Sequence, residues 1–262
     1  MTPGVALLTT WVLGTRTNVA AAPGRRPTST PQTCDALEAE MRIGTWNMEG
    51  KGTPAHVEFL ASLNCDVLLL TEVPHGLDLG GGEMVRTGTM GAGASKDWAA
   101  VWTAGALTER ESGHSWSAAA EVDRTLFVST VLPWNLVKAS GHWPGPEATT
   151  GERVAASLAQ VAPVLRGHDG PVVWGGDWNH ALEGREYAGS EAGRAAIAGL
   201  VGELGLVVPT ASLPHRDDGR ASIDHVAGPI GWSVRSAERG VAACANGRRL
   251  SDHEAYVVKV IS

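Results

Sequence analysis

Acidic and amide side chains lie at the ends of several apolar stretches in this sequence. In the clearest case, the apolar run 172–174 breaks at two glycines and leads to Asp177 and Asn179. Because such a run is typical of a buried strand, both side chains are expected at its carboxyl end, where open α/β sheets bind their ligands. Three other places repeat the pattern and contribute further polar residues: Asn47, Glu49, Glu72, Asp252 and His253.

These residue types predict a site for a hard divalent cation. Carboxylate and amide oxygens suit Mg²⁺ or Mn²⁺, whereas zinc prefers histidine and cysteine. A cation held by one or two carboxylates keeps open water positions and polarises a phosphoryl oxygen. A second carboxylate paired with an amide, such as Asp177 with Asn179, can hold a water in line for attack, while His253 can stabilise charge that develops on the phosphate oxygens. The pattern therefore favours hydrolysis of a phosphate ester.

Strand and helix patterns alternate from Met41 onward, which indicates an α/β fold. Residues 67–70 are apolar without interruption, as in a strand that is covered on both faces. Residues 76–97 are rich in glycine and are predicted to form a loop, and no Gly-Lys-Ser/Thr comes after them, which excludes a P-loop. Helices are predicted after three capping residues: Thr53, Thr149 and Ser190.

Composition limits the class of protein. A chain of 262 residues with 43% hydrophobic content is enough for one large domain or two small ones. The net charge of −7 argues against a broad basic surface for nucleic acid, although local charge and metal ions in a groove still permit a nuclease. Three cysteines without a Cys-x-x-Cys pair indicate neither a disulfide framework nor a zinc site. No apolar stretch is long enough to span a membrane, and a monomer is expected.

Residues 1–40 differ in composition from the rest of the chain. Residues 23–31 have the character of a linker rich in proline, serine, threonine and arginine, so we interpret 1–40 as a disordered leader or a start codon placed too early, and 41–262 as the domain. The mildly apolar residues 5–13 make a poor signal peptide because no lysine or arginine precedes them. We therefore expect a cytoplasmic protein, while the small residues 20–22 keep secretion as the alternative.

Five motifs resemble, in order, those of the endonuclease/exonuclease/phosphatase superfamily, the DNase I-like metal-dependent phosphoesterases. They are Thr45–Gly50, Leu70–Glu72, Gly176–Asn179, Ser222–His225 and Ser251–His253. The resemblance covers residues 41–262. It implies an α/β (α+β) four-layer sandwich in which helices flank two packed mixed β-sheets, with the site at one end.

The resemblance also implies roles for individual residues. Asp177 would orient or activate the nucleophilic water, and Asn179 would help to place it. His253 would contact the scissile phosphate, with Asp224 as its hydrogen-bonded orienting partner. Glu72 would be the main ligand of Mg²⁺ or Mn²⁺, with three more residues near the ion: Asn47, Glu49 and Asp252.

Val131 departs from the superfamily pattern. Members usually end this strand with Asn/Ser-Thr-His-Leu, and their histidine helps to bind phosphate or to protonate the leaving group, whereas residues 129–132 are Ser-Thr-Val-Leu. The function of that histidine is lost, taken by a nearby group or done by metal-bound water. His142 and Arg153 are candidates, and His180 could touch substrate. The alternatives are an exposed loop for His142 and a surface turn for His180.

Structural interpretations of the same residues stay open. Asn47 and Asn179 can be turn residues in left-handed geometry, and Asp177 can form an Asx-turn. Glu72 is the hardest to explain in that way, because a carboxylate that ends a buried strand is costly unless it is paired or binds a metal. The remaining histidines are interpreted as surface or structural residues: His56, His75, His114, His168 and His215.

The sequence thus predicts an enzyme that hydrolyses a phosphodiester, in the manner of a nuclease, by direct attack of an activated water without a covalent intermediate. One alternative is a phosphatase or phosphodiesterase acting on a small molecule or lipid head group. A second is a non-catalytic binding module, which Val131 makes conceivable. Trp134 and Trp143 could stack on a base or sugar. A nuclease would be expected to use basic side chains around the cleft, and four are candidates: Arg216, Arg220, Arg248 and Arg249.

Overall fold

The computed structural model describes residues 40–88, 90–91, 94–135, 143–144, 148–216 and 218–262. Residues 1–39 and His142 lie outside these ranges, so the predictions that concern them stay predictions. The helices are α1 (Pro54–Ser62), α2 (Thr150–Arg166) and α3 (Glu191–Glu203). The strands are β1 (Glu40–Asn47), β2 (Val67–Pro74), β3 (Glu83–Arg86), β4 (Lys96–Thr103), β5 (Thr108–Arg110), β6 (Ser117–Val122), β7 (Thr125–Thr130), β8 (Val172–Asp177), β9 (Leu206–Val207), β10 (Asp224–Pro229), β11 (Ser233–Gly240) and β12 (Ala255–Ile261).

The strands form two mixed sheets of six strands each. The first has the order β11-β12-β1-β2-β4-β3, and the second has the order β5-β6-β7-β8-β10-β9. Each sheet contains one parallel pair, β1 with β2 and β7 with β8. Parallel neighbours need a crossover connection, which α1 supplies in the first sheet and α2 in the second. As a result, the carboxyl ends of β1 and β2 lie at one edge of their sheet, and those of β7 and β8 lie at one edge of theirs.

Helices and sheets stack in four layers, as the sequence predicted. Apolar side chains of both sheets fill the space between them, among them Leu69, Val101, Phe127 and Val173. The other face of the first sheet packs against α1, and the other face of the second sheet packs against α2 and α3. Burial on both faces explains the uninterrupted apolar run in β2.

Two of the predicted helix starts are made by side-chain caps. Thr149 and Glu152 form the predicted capping box at the start of α2, and the Ser190 hydroxyl accepts a hydrogen bond from the backbone N–H of Gly193 at 3.0 Å. Thr53 precedes α1 without a side-chain cap, but Pro54 occupies the first turn as expected.

The loop prediction for residues 76–97 is partly wrong, because β3 and the start of β4 fall within it. Strand β6 was also not predicted, since its sequence Ser-Ala-Ala-Ala-Glu-Val has no strong strand propensity. Its conformation is set by antiparallel pairing with β7, for example between Ala119 and Val128. Among the described residues, no helix is long and apolar enough to cross a membrane.

Candidate active site

Strand ends from both sheets meet at one position. Asn47 ends β1 in the first sheet and Asp177 ends β8 in the second, and the Asn47 Nδ2 donates a hydrogen bond to Asp177 Oδ2 at 2.9 Å. Asp224, the first residue of β10, is the direct antiparallel partner of Asp177. All three side chains are buried. The fold thus brings together three polar residues that are far apart in the chain.

Short left-handed turns follow or interrupt the strands that carry the site. Glu49, Glu72 and Asn179 have φ values of 53°, 49° and 54°. The Asn47 Oδ1 accepts a hydrogen bond from the Glu49 backbone N–H at 2.9 Å, and the Asp177 Oδ1 accepts one from the Asn179 backbone N–H at 3.0 Å. The bond to Asp177 is the predicted Asx-turn, and Asn179 has the predicted left-handed geometry, whereas Asn47 does not and forms an Asx-turn bond instead. The turn and the clustering of polar groups therefore coexist in the same residues.

His253 is held by a buried carboxylate. Its Nδ1 lies 2.7 Å from Asp224 Oδ2, and its Nε2 lies 4.0 Å from both Asp177 Oδ2 and Asp252 Oδ1. The hydrogen bond at Nδ1 turns Nε2 toward the other carboxylates. One ligand atom from each of Asp177, Asp224 and His253 lies within 4.8 Å of the others.

Ser251 attaches this histidine to the first sheet. Its hydroxyl donates to the Asn47 carbonyl at 2.8 Å and accepts from the His253 backbone N–H at 3.1 Å. The Trp46 indole also donates to the His253 carbonyl at 3.3 Å. The segment before β12 is thereby fixed against the end of β1.

The pKa values of Asp177 and His253 are both raised above their ordinary values, and the two groups are suited to different chemical roles. Burial, reinforced by the charge of Asp224, raises the pKa of Asp177 to about 7, although His253 and the hydrogen bond from Asn47 oppose the shift. Burial alone would lower the pKa of His253, but the charges of Asp224 and Asp177 and the bond to Asp224 outweigh it and raise that pKa to about 10. The site thus combines a cationic imidazolium with a carboxyl group that titrates near neutrality.

Two of the predicted metal ligands lie directly at this centre: Asn47 bonds Asp177, and Asp252 Oδ1 lies 4.0 Å from His253 Nε2. Glu72 is half-buried, and its carboxylate accepts a hydrogen bond from the Lys96 ammonium. The Glu49 Oε2 accepts a bond from the Asp252 backbone N–H at 3.1 Å, and it also pairs with Lys51 at 2.7 Å. The residues fit a hard cation, because the predicted donors are all oxygens and Glu72 already attracts a positive group.

The structure describes two of the three predicted substrate contacts, His180 and Arg153. His180 is fully buried: its Nδ1 lies 2.8 Å from the Trp178 carbonyl, and its ring fills the space beside Gly189 and Gly193. The prediction of a substrate contact for His180 is therefore wrong, as is its surface-turn alternative, because the core encloses the ring. Arg153 lies half-buried at the start of α2. His142 is outside the described residues.

Val131 belongs to a cluster of aromatic side chains. It is 1% exposed and packs with three buried tryptophans, Trp98, Trp116 and Trp143. Partly buried Trp134 adds its ring to the same cluster, 6.2 Å from Trp143. An apolar residue at position 131 is explained by this packing, and the end of β7 offers an apolar wall where related proteins were expected to present an imidazole.

The segment before Trp134 contacts the site through the backbone of Leu132. The carbonyl of Leu132, two residues earlier, accepts a hydrogen bond from Asn179 Nδ2 at 3.0 Å. The Leu132 N–H donates to the Asp177 carbonyl at the same distance of 3.0 Å. The segment that leads to Trp134 therefore runs directly beside Asp177 and Asn179.

Two residues at the site were missed by the sequence interpretation. Lys96 lies in the glycine-rich stretch, where no motif marks it as a partner of Glu72. His215, interpreted as surface or structural, is 6% exposed, and its ring centroid lies 5.7 Å from that of His253. Lys96 begins β4 inside a stretch that was predicted to be a loop, and His215 lies in a loop, so only the tertiary structure reveals the contacts.

Comparisons with known proteins agree with this architecture. The family model described as "Endonuclease/Exonuclease/phosphatase family" matches residues 44–253. A search of curated protein sequences gave no match. Among solved structures, an AP endonuclease from Archaeoglobus fulgidus is similar with a TM-score of 0.63 and 14% identity, covering 83% of this chain and 98% of that chain.

Two further solved structures are similar to the same extent. A 3'-5' exonuclease (NExo) from Neisseria meningitidis has a TM-score of 0.59 and 18% identity, covering 83% of this chain and 98% of that chain. The endonuclease domain of TRAS1, a telomere-specific non-LTR retrotransposon, has a TM-score of 0.56 and 16% identity, covering 84% of this chain and 98% of that chain. These likenesses show the fold, and the family match extends over the residues that build the site. The chain therefore belongs to the endonuclease/exonuclease/phosphatase family, whose members are hydrolases acting on phosphate esters.

Proposed function

We propose that this protein hydrolyses a phosphodiester with the help of Mg²⁺ or Mn²⁺. The observation that carries the proposal is the junction at Asp177, whose carboxylate is bonded to Asn47 of the opposite sheet and lies 4.0 Å from His253 Nε2. At that separation the carboxylate and the imidazolium can both contact a single bound oxygen atom of water or phosphate. Family members typically depend on a divalent metal.

Four residues would hold the ion. Glu72 is the main ligand in this proposal, and the three others stand near it: Asn47, Glu49 and Asp252. When bound, the cation polarises a phosphoryl oxygen and adds positive charge where the transition state gains negative charge.

Asp177 takes the proton from the attacking water in this proposal. Its two oxygens are oriented by the Asn47 amide and by the Asn179 backbone N–H. A base with a pKa of about 7 accepts a proton efficiently near neutral pH. The water oxygen forms the new bond to phosphorus, the bond to the leaving oxygen breaks, and no covalent enzyme intermediate forms.

His253 stabilises the charge on the phosphate oxygens. Its bond to Asp224 keeps Nδ1 engaged, so Nε2–H faces the site as a charged donor. Hydrogen bonds from a charged donor are roughly twice as strong as neutral ones, which suits the stabilisation of a developing anion.

A second candidate is hydrolysis of a phosphate ester in a small molecule or lipid head group. The observation that favours it is that three of the candidate arginines are already paired within the protein. Arg220 pairs with Asp218 at 2.5 Å, Arg249 pairs with Glu254 at 2.9 Å, and Arg216 donates to the Asp252 carbonyl. Arginines engaged within the protein contribute less to a continuous surface for a nucleic acid backbone.

The test uses the full chain with bis-p-nitrophenyl phosphate, and with supercoiled plasmid in parallel, in Mg²⁺, Mn²⁺ or EDTA. We expect turnover that requires metal and that falls at least a hundredfold in Glu72→Gln. The matched control is Glu203→Gln, which removes an exposed carboxylate that pairs with Arg166 at 2.6 Å on α2. Plasmid nicking would favour the nuclease, whereas turnover of the small ester alone would favour the second candidate.

Absence of turnover on both substrates leads to a second measurement. Calorimetric Mn²⁺ binding that is present in the wild type and lost in Glu72→Gln would support a metal enzyme of narrow specificity. If the wild type binds no Mn²⁺, the enzyme proposal is wrong and the chain is a non-catalytic binding module.

A further inference from the structure

The loop between β9 and β10 carries His215 into the site on a fixed backbone. Its backbone N–H donates to the Arg220 carbonyl at 2.7 Å, and Pro214 forms a β-bridge with Ala221. From the neighbouring strand, the Tyr256 hydroxyl donates to the Pro214 carbonyl at 3.1 Å. The position of His215 is therefore set by hydrogen bonds on both sides of the loop.

The His215 ring lies between an aromatic ring and the proposed phosphate-binding histidine. Its centroid is 5.7 Å from that of His253 in an edge-to-face arrangement, with an interplanar angle of 84°. On another side, its centroid lies 5.9 Å from the ring of Tyr187. The next residue, Arg216, donates to the Asp252 carbonyl, so the loop touches the segment that carries His253 at two consecutive residues.

One polar atom of His215 lacks a hydrogen-bond partner. The side chain is 6% exposed, and Nδ1 is buried without a partner among the described residues. A buried polar group without a partner beside a site can form a hydrogen bond with a ligand atom or an ordered water. Burial lowers the pKa of His215, with the charges of Asp224 and His253 acting in opposite directions, so the ring is neutral and offers one donor and one acceptor.

Val131 offers no polar atom at the position where the superfamily histidine was expected. It is buried in its tryptophan cluster after β7. His215 brings an imidazole against His253 from the loop before β10.

We propose that His215 is a second substrate-contacting histidine, whose imidazole hydrogen-bonds an oxygen of the substrate phosphate beside His253. The proposal rests on the proposed function of the same site and adds a residue to it. Packing alone would not require an imidazole, because a phenyl ring fills the space between His253 and Tyr187 as well. This difference makes the proposal testable.

The experiment compares His215→Phe, which keeps the ring packing, with His215→Gln, which keeps polar hydrogen bonding. The control is His168→Gln, a half-buried histidine whose Nε2 lies 2.9 Å from the Arg124 carbonyl outside the site. Binding of inorganic phosphate to the full chain in Mg²⁺ is measured by calorimetry, and kcat and KM are measured with bis-p-nitrophenyl phosphate. The downfield proton signal of the His253–Asp224 hydrogen bond reports whether the site is intact.

We expect His215→Phe to weaken phosphate binding at least tenfold and to lower kcat/KM by a similar factor, with the downfield proton retained. His215→Gln should stay within about threefold of wild type in phosphate binding. The proposal is overturned if His215→Phe binds phosphate like the wild type, if the wild type binds none, or if both variants lose the downfield proton, which would assign His215 a structural role.

Failure of this proposal and failure of the proposed function are distinguishable. If no ester is hydrolysed and no Mn²⁺ is bound, but phosphate binding depends on His215 as expected, the contact stands and the hydrolysis proposal fails. If esters are hydrolysed and His215→Phe is as active as the wild type, the hydrolysis proposal stands and the contact fails.

Discussion

The Lys96 ammonium on β4 donates a hydrogen bond to the Glu72 carboxylate on β2. Both side chains are largely buried, with 28% and 20% of their surface exposed. Glu72 also has a left-handed backbone. Because its side chain is largely buried, its carboxylate would be costly without a partner. Lys96 therefore balances the charge of the residue that we propose as the main metal ligand, and it competes with a cation for the same oxygen atoms.

This competition predicts that Lys96→Met binds Mn²⁺ more tightly than the wild type. Removing a like charge beside the ion should lower the Kd about tenfold, which corresponds to about 1.4 kcal/mol. Calorimetry gives the Kd, and Lys259→Met is the control because Lys259 pairs with Glu40 at 2.8 Å at the other end of the sheet. An unchanged or weaker affinity in Lys96→Met would show that Lys96 supports the metal site and does not compete with the metal.

The bond between Asp224 and His253 predicts the effect of Asp224→Asn. Because the charge and hydrogen bond of Asp224 raise the pKa of His253, their removal should lower that pKa from about 10 toward its ordinary value. We expect His253 to lose its proton near neutral pH and kcat to fall at least tenfold. NMR titration of the ring measures the pKa, with Asp218→Asn as the control. A His253 pKa that stays near 10 in Asp224→Asn would contradict this account.

The backbone immediately before Asp177 requires glycine at position 176. Its φ is +113°, and a Cβ added there would lie 2.4 Å from the Thr130 carbonyl oxygen on β7. We expect Gly176→Ala to destabilise the fold by at least about 2 kcal/mol and to displace Asp177, with loss of activity. Gly199→Ala is the opposite case, because the position is helical with open space around its Cβ, and it should stabilise by about 0.5–1 kcal/mol. Urea unfolding measures both, and equal effects would refute the requirement.

The buried His225 predicts a loss of stability in acid. Burial lowers its pKa to about 4, so from pH 6.5 down to about 4 the unfolded chain binds a proton that the folded chain does not. Its contribution is fully present above pH 6.5 and decreases by about 3 kcal/mol across that window. Asp177, whose pKa is raised from 3.8 to about 7, acts in the opposite direction across the whole of this range.

The measurement is therefore the difference between the wild type and His225→Gln. The free energy of unfolding from urea titrations should fall less steeply in the variant between pH 6.5 and about 4. A slope remains, because burial also lowers the pKa of His114 to about 4. Identical slopes in the two proteins would show that His225 does not titrate as described.

Much of the fold and the candidate site could be predicted from local sequence patterns. Strand β2 and the cap of α2 depend on residues that are adjacent in the chain, and the motif order indicated the sandwich. The bond between Asn47 and Asp177 was anticipated only as proximity, since its geometry depends on how the two sheets pack. The sequence could not decide whether Asp177 forms a turn or belongs to the site, because it does both.

The remaining features depend on tertiary context. His180 and His215 have no distinguishing pattern, yet the core encloses one and the other lies against His253. Strand β6 consists mainly of small residues whose conformation is set by its neighbours. The positions of these residues depend on burial and loop geometry. Both are properties of the folded sandwich and cannot be predicted from a few adjacent residues.

The left-handed backbone at Glu49, Glu72 and Asn179 lowers the stability of the fold. Each non-glycine residue in this conformation costs roughly 1–2 kcal/mol, with asparagine at the low end. Glycine at any of these positions would relax the backbone and raise the melting temperature, but it would remove an oxygen donor from the candidate site. Selection for heat resistance that replaced these three residues would therefore remove oxygen donors from the candidate site, and a more stable but inactive protein would result.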